Sequence, residues 1–215
     1  VGFDLIKVNG ENQTVKIGDT YYTDANGMIT ADVIGRLEYG NYYFEEVTLS
    51  DAARNASYTI SKQQLSFDIT ENKPIEDAVT YSFTNTDVHG GAEFAKVESG
   101  SDDKRIKGVK FNIYNAADDS LLGIATSSDQ GIVKADNLPM GQYYFLEDEK
   151  SVNENGYAVN DTKYYCEIKD ADNGRNVDVH EGSLTGPVVT SVSDERLDGT
   201  IVLPKLGKYA AANRV

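Results

Sequence analysis

The segment "GNYYFEEVTLSDAARNASY" (residues 40–58) returns as "GQYYFLEDEKSVNENGY" (residues 141–157). A motif that recurs after about 100 residues marks two like units of ordinary domain size. In both copies Gly is followed at alternate positions by Tyr, Phe and Glu. That period of two predicts a β-strand, with Tyr42 and Phe44 on one face of the first copy and Tyr143 and Phe145 on the matching face of the second. In the same register Glu46 and Glu147 point to the aromatic, core-facing side. Burying a carboxyl is costly unless it is paired or protonated, so an acid aimed inward twice needs a reason.

The rest of the chain reads as short alternating segments, among them "LSFDIT", "VTYSFTN", "KFNIYN", "GIATSS" and "KYYCEIK", separated by Gly, Asn and Asp. With 14 tyrosines and no sustained helical period, this pattern predicts an all-β protein. "TDANGMI" and "SSDQGIV" read as matching turns in which Gly27 and Gly131 supply a positive φ. The expected architecture is two tandem Greek-key β-sandwiches over 1–89 and 90–198, Ig-like or prealbumin-like, with 199–215 left as a further strand-like segment.

Composition narrows the function classes. Lys and Arg total 20 against 35 Asp and Glu, a formal charge of −15. Such a surface repels phosphate backbones and anionic lipid, so nucleic acid is not an expected partner. No apolar run is long enough for membrane insertion, and no basic-then-apolar leader pattern opens the sequence. Cys166 is the only cysteine; it lies in a strand-like segment and reads as core filler, leaving no intrachain disulfide. His89 and His180 have no companions at ligand spacing, so no metal and no cofactor are expected. A turnover enzyme has no motif here: there is neither a Gly-x-Ser-x-Gly elbow nor a phosphate loop.

A second correspondence joins the ends of the units. Asn85 precedes Lys96 by 11 positions, and Asp194 precedes Lys205 by 11. Each unit is therefore expected to close on a strand bearing Asn85 or Asp194 and to be followed by a strand bearing Lys96 or Lys205. Parity places both lysines with apolar neighbours, Phe94 in one case and Ile201 and Leu203 in the other.

Buried Lys, buried Glu and a terminal-strand Asn or Asp form a constellation that resembles the B-type repeat domains of Gram-positive collagen adhesins and the related domains of sortase-assembled pilus shafts. The matching positions are Lys96, Glu147, Tyr157 and Asp194 in the second unit, and Glu46, Tyr58 and Asn85 in the first. The Thr and Pro that usually surround the acid are absent. The resemblance implies a spontaneous amide (isopeptide) bond between Lys96 and Asp194, with Glu147 as the catalytic acid, and Glu46 in that role beside Asn85. Elementary chemistry agrees: burial disfavours the ammonium and the carboxylate alike, leaving an amine free to attack and an acid able to relay protons. Held in near-attack geometry, the partners need no external enzyme.

The first unit lacks a lysine in the matching place. Lys7 is too close to the turn at Thr23 to precede two strands, and "VGFDLIKVN" aligns instead with "VKFNIYNAA", putting Phe3 on Phe111 and Lys7 on Asn115. The first unit is thus expected to begin at its second strand, while "GTIVLPK" at the other end resembles a first strand with its lysine, Lys205. Donation of that strand to the next copy, with Lys205 bonding to Asn85, would build head-to-tail polymers. The expected function is a structural subunit of a bacterial cell-surface fibre, pilus or adhesin stalk, extracellular or wall-bound, whose sole chemistry is single-turnover self-ligation. The competing readings are a ligand-binding adhesin module, meeting a host ligand through the 170–186 loop, which is longer than its counterpart in the first unit and otherwise reads as surface decoration, and a piece of a longer repeat array.

Overall fold

The structure is a computed structural model and describes residues 1–71 and 80–198. The first repeat contains β1 (Gly2–Val8), β2 (Thr14–Tyr22), the short helix α1 (Ala31–Ile34), β3 (Gly40–Thr48), α2 (Asp51–Asn55) and β4 (Gln64–Ile69). The strands form one antiparallel sheet in the order β2-β1-β3-β4.

The second repeat opens with β5 (His89–Glu98), β6 (Ser101–Arg105), β7 (Lys110–Asn115), β8 (Leu121–Thr126) and β9 (Ile132–Pro139). It continues through β10 (Gly141–Glu147), α3 (Glu149–Glu154), β11 (Tyr164–Ile168), β12 (Asn176–Val177), β13 (Val179–Glu181), β14 (Val188–Val189) and β15 (Ser191–Asp194). Two sheets result. One has the order β14-β13-β11-β10-β7-β8; in the other, β5 is flanked by β12 and β15 on one edge and by β9 and β6 on the other. The all-β tandem sandwich expected from the sequence is therefore observed.

Periodicity explains the core. Phe94 on β5 meets Phe111 and Phe145 of the facing sheet edge-on, with centroids 5.0 and 5.4 Å apart. Tyr164, Cys166, Ile168, Val133 and Val192 close around them, all at most 4% exposed. Glycines 27 and 131 have φ of 77° and 68°, as the matched turns require.

The register of the repeat is reproduced in detail. Phe3 lies opposite Glu46 and Leu5 opposite Phe44, as Phe111 lies opposite Glu147 and Ile113 opposite Phe145. The tyrosine three residues beyond each turn donates back to it: Tyr42 to the Glu38 carbonyl and Tyr143 to the Pro139 carbonyl, both at 2.8 Å.

Two expectations change. "VTYSFTN" is predicted as a strand, yet residues 80–85 carry no strand assignment. Its counterpart β15 draws its ladder bonds from β5, and the four-stranded sheet of the first repeat has no β5-like strand across from it among the described residues. Lacking that partner, Tyr42 and Leu5 are still buried, but Phe44, Leu65 and Phe67 are only half-buried. The 170–186 loop also differs from a surface decoration. It supplies β12 to one sheet and β13 to the other, with Val179 only 1% exposed, so its backbone is committed to the fold. The segment 199–215, including Lys205, lies outside the described residues.

Candidate functional site

Three strands from two sheets converge in the second repeat. The parallel pairing of β15 with β5 sets Val192 across from Lys96 and Asp194 across from Glu98, which brings the Asp194 carboxyl alongside the Lys96 side chain. Glu147 closes the group from β10 on the facing sheet. The Lys96 Nζ donates to Glu147 Oε1 and to Asp194 Oδ1. All three side chains are fully enclosed, at 0% exposure. The Phe111 ring lies below the amine, its centroid 5.7 Å from Nζ. Glu147 is held from its other oxygen by the Asn160 backbone N–H, at 2.8 Å, while Asp194 Oδ2 is buried with no hydrogen-bond partner. The sequence expectation that Lys96, Glu147 and Asp194 lie together in a dry interior describes this arrangement.

Were all three ionised, two negative charges would face one positive charge without water. Desolvation resolves this by protonation. Burial first, with the Asp194 charge adding to it and Lys96 opposing, pushes the Glu147 carboxyl up to about 7. Burial also raises Asp194, with Lys96 pulling the other way. A carboxylic acid that keeps its proton near neutrality can donate to a carbonyl and pass protons between the reacting partners.

The sign of the pH dependence follows. Glu147 ordinarily titrates near 4.5 and in the fold near 7, so the folded chain binds more protons between those values. The associated stability of the unreacted fold is complete below the lower value and is lost as pH rises through the higher. Any amide formation that uses the protonated Glu147 slows in the same direction. In freshly synthesised chain followed by mass against time, the rate is expected to fall about tenfold per unit once pH is well above the folded value. A rate that climbs steadily from pH 6 to pH 9 contradicts this role.

The first repeat holds two of the three groups. Glu46 is 5% exposed, and its Oε2 accepts from the Asn85 side-chain amide at 2.7 Å and from the Ser61 backbone N–H. The Asn85 amide donates also to the Thr59 carbonyl at 2.9 Å, which fixes its orientation. The anchoring is that of the second repeat, where Asn160 takes the place of Ser61. Glu46 Oε1, the counterpart of the oxygen that meets Lys96, is buried with no hydrogen-bond partner. Lys7 does not serve it: its amine pairs with Glu38 at 3.0 Å.

Sequence reasoning did not find the backbone N–H groups of Ser61 and Asn160 or the Phe111 ring. Backbone donors leave no residue-type signal, and the two loops differ in length, Ser61 lying 15 positions after Glu46 and Asn160 13 after Glu147. Among the described residues no cluster of His, Cys, Asp and Glu suits a metal ion, and no helix is long and apolar enough to cross a membrane.

The sequence profile described as SpaA, prealbumin-like fold domain, matches the chain twice, over residues 1–86 and 90–183. Among solved structures, the Bacillus anthracis TIE protein superposes with a TM-score of 0.59 at 23% identity, covering 91% of this chain and 31% of that one. The chain thus spans about a third of that protein's length. A C-terminal fragment of the pilus adhesin SpaC from Lactobacillus rhamnosus GG gives a TM-score of 0.51 at 14% identity, covering 94% of this chain and 91% of the fragment. At these identities the likeness is one of fold. No curated protein matches the sequence.

Proposed function

From the premise that the chain belongs to the SpaA prealbumin-like domain family, we propose that it is a structural subunit of a cell-surface fibre, pilus or adhesin stalk, cross-linked by its own side chains. The observation that carries this reading is the fully enclosed Lys96 amine touching carboxyl oxygens of both Glu147 and Asp194.

In the second repeat the neutral Lys96 amine attacks the Asp194 carboxyl carbon. A nitrogen–carbon bond forms, a carbon–oxygen bond breaks, and the departing oxygen leaves as water with one amine proton and one carboxyl proton. Glu147 donates to the carbonyl as charge develops and carries the protons between the two partners. The enzyme-like part is positional: the three groups are held together before the reaction, so no turnover is needed.

In the first repeat Glu46 and Asn85 await an amine. The strand-like segment 199–205 of another copy supplies it. Lys205 attacks the Asn85 carboxamide carbon, the carbon–nitrogen bond of the amide breaks, and ammonia leaves. The outer strands of the four-stranded sheet have no further ladder partner among the described residues, such an edge is a natural acceptor for a strand, and donation from head to tail does not close on itself. An amide between strands also gives a chain with one cysteine a cross-link that reducing agents leave intact. That suits an extracellular stalk under tension.

A boiled, reduced denaturing gel tests the assembly. The full chain is expected to give a ladder of multiples, and Lys205→Met or Asn85→Ala to give monomer alone. Monomer from the unaltered chain at every concentration contradicts strand donation.

A further inference from the structure

The backbone N–H that holds Glu147 belongs to Asn160, in the loop between α3 and β11, and the side chain of that residue is fully engaged as well. Its Oδ1 accepts from the Thr162 N–H at 3.0 Å. Its amide nitrogen donates to the Tyr164 hydroxyl at 2.8 Å and reaches the Ser193 carbonyl at 3.5 Å. A primary amide has two N–H donors, one for each of these contacts. Asn160 thus ties together the acid on β10, the start of β11, and β15 at the residue before Asp194.

Tyr164 gives this latch a fixed end. It is 4% exposed, and its ring packs on Phe94 with centroids 6.1 Å apart. Burial pushes its phenol up to about 12, so the hydroxyl stays neutral. The first repeat makes the same loop without the latch. Ser61 donates its backbone N–H to Glu46, and its Oγ accepts from the Gln63 N–H at 3.3 Å. Where Tyr164 lies opposite Phe145, the first repeat has Leu65 opposite Phe44, and leucine offers no acceptor. The anchor on the acid is common to both repeats. The side-chain latch belongs to the repeat in which amine, acid and terminal-strand carboxyl are assembled.

We infer that Asn160 is a positioning residue for the ligation: its side-chain amide locks the loop to Tyr164 and to the strand bearing Asp194, so that its backbone N–H holds Glu147 with Oε1 turned to Lys96. The inference rests on the self-ligation proposed above and names what orients its acid. The same N–H favours the carboxylate and so opposes burial, which lets Glu147 release a proton as well as take one near neutrality. The titratable groups that act on Glu147 are Lys96 from β5, Asp194 from β15 and Tyr164 from β11, while β7 presents the apolar Phe111.

Two variants test the latch. Asn160→Ser copies the residue of the first repeat, and Tyr164→Phe keeps the ring on Phe94, so both are expected to fold with an unchanged far-ultraviolet spectrum. In freshly synthesised chain, loss of one water is followed by intact mass over a series of pH values. Each variant is expected to form the bond at least about tenfold more slowly at neutral pH, because near-attack geometry is lost. The double variant is expected to be no slower than Asn160→Ser alone, because both changes break one contact. The pH above which the rate falls is expected to rise by about half a unit, because the donor that favours the carboxylate is loosened. An unaltered rate and an unaltered pH limit in both variants overturn the inference and leave self-ligation in place. A slower rate with an unmoved pH limit makes the latch a general brace and overturns the inference too. If the unaltered chain itself loses no water, the ligation reading fails and the inference falls with it.

Discussion

Glu147→Gln is expected to lower the melting temperature of the second sandwich by roughly 16–40 °C. Glutamine keeps the shape and the hydrogen bond from Asn160 but cannot hold or relay a proton, so Lys96 and Asp194 remain unjoined. The bond would close a loop of 98 residues. By analogy with a disulfide, closing a loop of about 100 residues removes unfolded-state entropy equivalent to about 4–5 kcal/mol. In a domain of this size each kcal/mol moves the midpoint by roughly 4–8 °C, which gives the range above. Tyrosine-rich cores give strong near-ultraviolet dichroism, and Tyr143 and Tyr164 lie in this one. A thermal scan followed there reads both repeats, since Tyr42 is buried in the first, and the transition that shifts in the variant is that of the second sandwich. Coincident melts of the variant and the unaltered chain would remove the cross-link from the account.

The second large effect separates the bond from the packing around it. Lys96→Ala takes away the amine and leaves a hole over the Phe111 ring, with two enclosed acids facing each other. Breaking a buried charged group by deleting one partner costs about 3–5 kcal/mol. Added to a lost cross-link of about 4–5 kcal/mol, this approaches the whole stability of an ordinary domain. The second sandwich of Lys96→Ala is therefore expected to be largely unfolded at 37 °C. Lys96→Met fills the same volume with an apolar chain and lets the two acids share protons, which burial already favours. It is expected to fold, with a denaturant midpoint between those of Lys96→Ala and the unaltered chain. The interval from Met to the unaltered chain measures the bond, and the interval from Ala to Met measures the cavity. A Lys96→Met chain as stable as the unaltered one would mean that no bond contributes.

Much of this was legible in residue order because the chain states its design twice. Alternation around Phe44 and Phe145 gave the strands, and the inward parity of Glu46 and Glu147 gave the acids. The equal spacing from Asn85 to Lys96 and from Asp194 to Lys205 gave the residues proposed to react. Parity also placed Phe94 and Lys96 in one interior, where β5 sets them. The segment 80–85 was misread because strand propensity was judged without its partner: a terminal strand in this fold draws its ladder from β5, and composition alone does not supply one. The 170–186 loop reads as surface because it is longer than its counterpart in the first repeat, yet its short β12 pairs with Gly91 and Ala92, a long-range contact with little local signature.

The central claim is that enclosure of Lys96 between Glu147 and Asp194 turns an ion pair into an amide. Accurate mass of the intact, denatured chain tests it most directly, followed by isolation of the peptide pair containing Lys96 and Asp194. The expected mass is one water below that of the linear sequence, with the deficit located in that branched peptide and absent from Glu147→Gln. A chain weighing the full sum of its residues, with Lys96 and Asp194 recovered on separate peptides, would contradict the account.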